Sequence, residues 1–197
     1  MFIDAILPTF YFQIMKKIVL LGIVVFMSSH ELLAQDIPQD DIDRDELKIN
    51  VLNLIAFEFA DASYERILDE ESSFGVGVLV NVGNDDDIFD YYRKFSITPY
   101  YRRYFSKGYA SGFFVEGFGM LNSGEEDIFE FNDITFETVR TGENYTDFAL
   151  GISIGGKFIS KKGFVAEIYS GIGRNFFSSD FSPEVVGRGG VSLGFRF

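Results

Sequence analysis

Apolar residues alternate with small or polar residues along most of this 197-residue chain. One of the clearest segments lies near residue 150. Its apolar face consists of Phe148, Leu150, Ile152, Ile154 and Phe158. Its opposite face consists of Ala149, Gly151, Ser153, Gly155 and Lys157. A period of two is that of a β-strand, because successive side chains of a strand point to opposite faces.

Eight segments of this kind are separated by turn-rich stretches, and each is predicted to be a strand. They are residues 48–56, 57–68, 74–83, 93–105, 111–122, 146–160, 163–175 and 185–197. Short connections alternate with long ones. The predicted short turns are 69–73, 106–110 and 161–162, and the predicted long loops are 84–92, 123–145 and 176–184. The first long connection, near residues 56–57, is almost absent.

The composition of the two faces predicts which side of the sheet meets lipid. In a soluble barrel the apolar face points inward and the polar face carries residues such as Lys, Glu and Thr. Here the second face is mostly Gly, Ser and Ala with isolated charges, which suits a narrow interior. Short periplasmic turns and longer outer loops are typical of small outer-membrane barrels. The chain is therefore predicted to be all-β, an eight-stranded antiparallel up-and-down transmembrane β-barrel over residues 47–197.

The N-terminal region is predicted to be processing sequence. Met15-Lys16-Lys17 is basic, residues 18–27 are apolar, and Ala34-Gln35 is a plausible cleavage site, as in a signal peptide. A membrane anchor is the alternative, but the apolar stretch is shorter than the roughly 20 residues that span a bilayer. Residues 1–34 are thus assigned to an N-terminal extension and signal peptide with its true start at Met15, and residues 35–46 to an acidic disordered periplasmic lead-in.

Seven charged residues fall on the predicted interior face. They are Glu65, Arg102, Glu116, Lys157, Glu167, Arg188 and Arg196. Because unpaired buried charge is costly, their mixed signs predict an interior network of salt bridges. An eight-stranded barrel is just wide enough for its own side chains, which favours a polar plug over the alternative of a proton or ion path.

The formal net charge of −13 argues against nucleic acid as a partner. Much of the acidity lies in two predicted outer loops. Their acidic residues are Asp85, Asp86, Asp87 and Asp90, then Glu125, Glu126, Asp127, Glu130, Asp133, Glu137 and Glu143. Such carboxylates could bind divalent cations, although a solvated, repulsive surface is the favoured interpretation because the EF-hand pattern is missing.

Enzymatic activity is not expected. His30 is the sole histidine and lies in the predicted signal peptide, and the chain has no cysteine. No phosphate-binding loop, metal-ligand cluster or nucleophile elbow is present in the sequence. The chain is therefore predicted to have no catalytic residues, no cofactor and no metal centre.

The predicted last strand places Val191, Leu193, Phe195 and Phe197 on one apolar face. Residues 47–197 resemble the uncharacterised small outer-membrane barrel families of Bacteroidetes, and more loosely OmpA- and OmpX-type barrels. The segments that carry the resemblance are Lys48-Ile49-Asn50, Ser63-Tyr64-Glu65-Arg66 and Gly194-Phe195-Arg196-Phe197. The resemblance implies a monomer in the outer membrane of a Gram-negative cell, in contact with lipid and lipopolysaccharide. It also implies insertion by the barrel-assembly machinery, with those four apolar residues as the assembly signal.

Fold alone does not give function, so several hypotheses remain. The first is a structural or surface-interaction role in the cell envelope, with the interior filled by side chains. A narrow channel or an export-system component is the alternative, and a soluble secreted lipocalin-like binding barrel is a less favoured one.

Overall fold

The computed structural model describes residues 43–83, 93–106, 108–132, 137–177 and 183–197. The predicted signal peptide, the lead-in up to residue 42 and the acidic loop 84–92 lie outside the described residues. None of the helices in the described part of the chain is long and apolar enough to cross a membrane.

Eight antiparallel strands, each hydrogen-bonded to its neighbours in sequence, form a closed barrel from the described residues. They are β1 (Asp45–Asn50), β2 (Phe59–Asp69), β3 (Ser72–Asn81), β4 (Arg93–Tyr104), β5 (Gly112–Asn132), β6 (Glu137–Ile159), β7 (Phe164–Asn175) and β8 (Val185–Arg196). A six-residue helix, α1 (Val51–Ala56), follows β1. Pairing of Glu46 with Arg196 and of Asn50 with Ser192 closes the barrel between β1 and β8. The predicted fold class is confirmed.

The first predicted strand is wrong over residues 51–56, which form α1 instead. The Asn50 side chain accepts a hydrogen bond from the backbone N–H of Asn53 at 3.2 Å, an N-cap that ends the strand and starts the helix. Glu58 then takes a positive φ of 56° and redirects the chain into β2. The strand itself begins earlier than predicted, at Asp45, inside the segment assigned to the lead-in.

The predicted long loop 123–145 is mostly strand. β5 and β6 continue to pair from Gly124 with Tyr145 as far as Asn132 with Glu137. The described pairing of β5 with β4 ends at Gly124, and that of β6 with β7 ends at Ala149. The β5–β6 hairpin therefore extends beyond the part of the barrel in which β5 also pairs with β4 and β6 also pairs with β7. The apolar residues at 128, 129 and 131 belong to this extension of β5.

Burial alternates along the strands as a barrel requires. On β6, Ala149, Ser153 and Lys157 are buried, while Ile152 is 64% exposed and Phe158 is 57% exposed. Two apolar clusters fill part of the interior alongside the charged residues. One contains Ile67, Tyr104, Ala110, Phe114 and Tyr169, and the other contains Tyr100, Phe118, Met120, Ala149 and Val186.

Two glycines of β6 provide a matched test of interior packing. A β-carbon on Gly151 would lie 2.3 Å from the Phe118 ring and 2.5 Å from the Ile172 carbonyl oxygen, whereas one on Gly156 would meet nothing within 4 Å. Overpacking of a tight site costs about 1–3 kcal/mol. We expect Gly151→Ala to lower the free energy of unfolding by about that amount and Gly156→Ala to change it by less than about 0.5 kcal/mol. Urea titration of the folded protein measures both, and equal effects of the two would contradict the inward orientation of Gly151.

Candidate functional site: the barrel interior

The carboxylate of Glu65 lies at the centre of the interior and is fully buried. It accepts hydrogen bonds from Lys48 Nζ at 2.5 Å, Lys157 Nζ at 2.6 Å and Arg102 Nη1 at 2.9 Å. The hydroxyls of Ser73 and Tyr104 also donate to it, each at 2.6 Å. Cations and hydroxyls together satisfy the charge of this carboxylate in the buried interior.

Arg102, on β4, joins three carboxylates. Its Nη1 donates to Glu65 at 2.9 Å and to Glu167 at 2.7 Å, and its Nε donates to Glu116 at 2.7 Å. The guanidinium also packs against aromatic faces, with its carbon 4.2 Å from the centroid of Phe114 and 4.6 Å from that of Tyr100. Arginine suits this position because its planar group donates in several fixed directions and stacks on rings at the same time.

A second group of charges lies toward the end of the barrel where the short turns are found. Glu46 accepts from Lys157 Nζ at 2.8 Å and from Arg196 Nη2 at 2.6 Å. Arg196 also donates to the backbone carbonyls of Tyr109 and Ala110, each at 3.1 Å. The turn between β4 and β5 is thereby held under the barrel, with Ala110 fully buried. Backbone groups as well as side chains therefore contribute to the interior contacts at this end.

Toward the α1 end the network finishes at Arg188, whose side chain is 8% exposed. Its Nε donates to Glu116 at 2.9 Å. Beyond it, a cavity of about 300 Å³ lies inside the barrel below α1. The cavity therefore lies at the α1 end of the ion-pair network.

All seven charged residues predicted for the interior lie inside the barrel in one ion-pair network. The network also contains two residues that the sequence reasoning missed, Glu46 and Lys48. Glu46 was predicted to lie in the lead-in and Lys48 at the first position of the strand, so neither was assigned to the interior face. The signal was present in the alternation of Leu47 and Ile49, which are exposed, with Glu46 and Lys48, which are buried.

The four apolar residues of the last strand share its outward face. Phe195 is 53% and Phe197 is 59% exposed, while Val191 and Leu193 are half-buried. β8 pairs with both β1 and β7, so these side chains lie beside the seam that closes the barrel.

Within the described ranges, no group of three or more His, Cys, Asp or Glu side chains is arranged to hold a metal ion. The acidic residues of the first predicted outer loop fall in 84–92, outside those ranges. In the second predicted outer loop, Glu125 forms an ion pair with Lys94 of β4.

No family model and no curated protein matches this sequence. Among solved structures, the chain is similar to the N-terminal β-barrel domain of OprF from Pseudomonas aeruginosa, with a TM-score of 0.50 and 11% sequence identity. The match covers 79% of this chain and 98% of that domain. At this identity the likeness concerns the fold alone, so this chain shares with the OprF domain a closed eight-stranded antiparallel barrel.

Proposed function

We propose that this protein is an integral outer-membrane β-barrel with a structural or surface-interaction role and an interior closed by its own side chains. The observation that carries the proposal is an inverted distribution of polarity, with paired charges inside the barrel and large apolar side chains outside it. The resemblance to small Bacteroidetes outer-membrane barrels points the same way, as does the fold shared with the OprF domain.

The outward face is apolar or small along the middle of the strands. Among its most exposed members are Ile152 at 64%, Ile172 at 60%, Ile168 at 59% and Phe195 at 53%. Monomeric soluble proteins rarely expose contiguous apolar patches larger than a few hundred Å². A belt that surrounds the barrel is what hydrocarbon contact requires, and a soluble lipocalin-like barrel has the opposite arrangement.

The height of this belt matches a bilayer. On β6 the outward positions from Phe148 to Phe158 are apolar or glycine over ten residue steps. At about 3.4 Å per residue and a strand tilt of about 40°, ten steps span roughly 26 Å, close to the apolar band of about 25 Å on outer-membrane barrels. Exposed ion pairs lie toward the strand ends, including Asp45 with Arg66 and Arg174 with Glu184. These would lie in the headgroup regions.

The packed middle of the barrel favours the structural role over a channel. Paired carboxylates and cations, together with several aromatic rings, occupy the part of the barrel interior that lies between the side chain of Arg188, near α1, and the side chain of Arg196, at the short-turn end. An ion that crossed the barrel interior would have to separate Arg102 from the three carboxylates to which Arg102 donates hydrogen bonds. Breaking buried charge pairs costs several kcal/mol for each partner removed.

Cell fractionation followed by a denaturing gel tests the membrane proposal. We expect the protein in the outer-membrane fraction, with an unboiled band that migrates differently from the boiled band because the closed barrel resists the detergent. Recovery in the periplasmic soluble fraction without a heat-shifted band would contradict the proposal.

The same purified protein reports on the closed interior. In planar lipid bilayers we expect no steady ionic conductance above the background of the empty bilayer. Large, steady unitary steps would refute the closed interior and favour the channel alternative.

A further inference from the structure

We propose that the cavity at the α1 end of the barrel binds a small molecule that carries one carboxylate on an apolar body, with Arg188 as the residue that holds the carboxylate. The inference depends on the barrel interior alone. It stands whether or not the belt lies in a membrane, so its failure and the failure of the proposed function are distinguishable.

The cavity lies above the ion-pair network and has a volume of about 300 Å³. At about 30 Å³ for each water molecule, this is room for roughly ten waters or one small organic ligand. It falls at the lower end of the range of ligand pockets, about 300–1,000 Å³. Apolar side chains form much of its wall, namely Leu52, Phe57, Phe59, Leu79 and Met120.

Arg188 lines this cavity with part of its guanidinium uncommitted. Its Nε is bonded to Glu116, and within the described residues no acceptor is hydrogen-bonded to its two terminal nitrogens. The rings of Tyr100, Tyr169 and Phe118 surround the group, with their centroids 5.0, 5.3 and 5.8 Å from its central carbon. The aromatic surround fixes the orientation of the guanidinium before any ligand arrives, which reduces the entropy lost on binding.

Gly77 leaves the terminal nitrogens accessible. It lines the same cavity, and a β-carbon at this position would lie 3.3 Å from Arg188 Nη1. The two terminal nitrogens on a planar fork match the two oxygens of a carboxylate, the bidentate geometry in which arginine binds anions most strongly.

The net charge of the ion-pair network that ends at this cavity favours an anion. In the described part of the chain, the ion-pair network that ends at Arg188 contains five cations against four carboxylates. The cations are Lys48, Arg102, Lys157, Arg188 and Arg196, and the carboxylates are Glu46, Glu65, Glu116 and Glu167. A single carboxylate on a bound ligand would make the number of negative charges equal to the number of positive charges.

Two other charged residues line the cavity, Arg93 and Asp61. Arg93 Nη2 donates to the Gly187 carbonyl at 2.9 Å. Asp61 Oδ2 accepts from the side-chain amides of Asn50 at 2.9 Å and Asn53 at 2.7 Å. The Asp61 carboxylate would repel a second negative charge on a ligand, so a monoanion suits the cavity better than a phosphate dianion. The apolar wall suits a body without further charge.

Benzoate is a suitable probe because it joins a planar carboxylate to a compact apolar ring. Isothermal titration calorimetry on the full chain would measure its affinity in phosphatidylcholine nanodiscs, with empty nanodiscs as the blank, or in detergent-free buffer if the protein is recovered in the soluble fraction. We expect saturable binding to one site with a Kd at or below about 1 mM. Benzyl alcohol, which has a similar shape and no charge, and inorganic phosphate should each bind at least about ten-fold more weakly.

Two variants test the role of Arg188. Arg188→Gln should weaken benzoate binding at least about ten-fold, because the charge and the fork are lost. Gly77→Val should weaken it similarly while every ion pair remains, because its side chain would cover Nη1. Arg174→Gln is the matched control, since it removes an exposed arginine near the same end of the barrel and should leave the affinity unchanged.

The boiled and unboiled gel shows whether each variant is folded. If Arg188→Gln does not fold, Gly77→Val and the comparison of benzoate with benzyl alcohol decide the matter. Absence of saturable benzoate binding, equal affinity of folded Arg188→Gln and the parent protein, or phosphate binding as tight as benzoate would each overturn the proposal.

Discussion

Glu65→Gln is expected to be the most destabilising single change in this barrel. Glutamine has nearly the same shape but no charge, so Lys48, Lys157 and Arg102 would share one carboxylate fewer inside a buried region. Removing one partner of a buried charge pair costs about 3–5 kcal/mol. Since the whole free energy of unfolding of a domain is about 5–15 kcal/mol, such a loss is a large fraction of the stability of the barrel. Urea titration, with the heat-shifted gel band as the measure of folded protein, gives the change.

Glu71→Gln is the matched control. Glu71 also forms an ion pair, with Arg103, but both side chains are more than half exposed. Exposed pairs contribute about 0–1 kcal/mol, so this variant should unfold near the parent midpoint. A double variant, Glu65→Gln with Lys48→Gln, should recover part of the loss because it removes one excess cation. Equal midpoints for Glu65→Gln and Glu71→Gln would contradict a central role for Glu65.

The second large effect is expected from a charge on the outer belt. Ile152 lies on the outward face of β6, midway between Phe148 and Gly156, and is 64% exposed. An arginine at the middle of the bilayer costs about 2–4 kcal/mol on a lipid-facing barrel strand. We expect Ile152→Arg to lower the free energy of unfolding in lipid vesicles by that amount, as measured by the folded fraction at each urea concentration.

The control for this change is Thr146→Arg, on the same strand and the same outward face but nearer the α1 end. Thr146 is exposed, and the cost of a charge falls to about 0–1 kcal/mol near the membrane interface. The difference between the two variants therefore measures depth in the bilayer. If Ile152→Arg were as stable as Thr146→Arg, the belt would not contact hydrocarbon.

Residue alternation was sufficient to predict the strands and the interior position of most charged residues. A strand allows only two directions for a side chain, so Leu150 and Ile152 on β6 largely decide where Lys157 points. The same reasoning failed for residues 51–56. There the N-cap of Asn50 competes with strand pairing, and the apolar residues at 52 and 54 fit a helix as well as a strand. The cap is a local hydrogen bond, but whether residues 51–56 form a helix or a strand also depends on whether β2 can pair with them.

The partners within the site could not be predicted in the same way. Lys48 bonds to Glu167, 119 positions away, and Arg196 bonds to Glu46, 150 positions away. Closure of the barrel between β1 and β8 brings these residues together, and the register of each strand pair determines which charges meet. The cavity beside Arg188 depends in addition on Gly77 and on aromatic rings from three strands, none of which adjoins Arg188 in sequence.

The sequence by itself determined that the chain forms an eight-stranded barrel with an apolar outer face, because the period of two and the turn residues act over a few positions. Only the tertiary structure decided which cations share Glu65, how Arg196 holds the β4–β5 turn at one end and where the cavity lies at the other. Those features depend on contacts between distant strands, which local patterns do not encode.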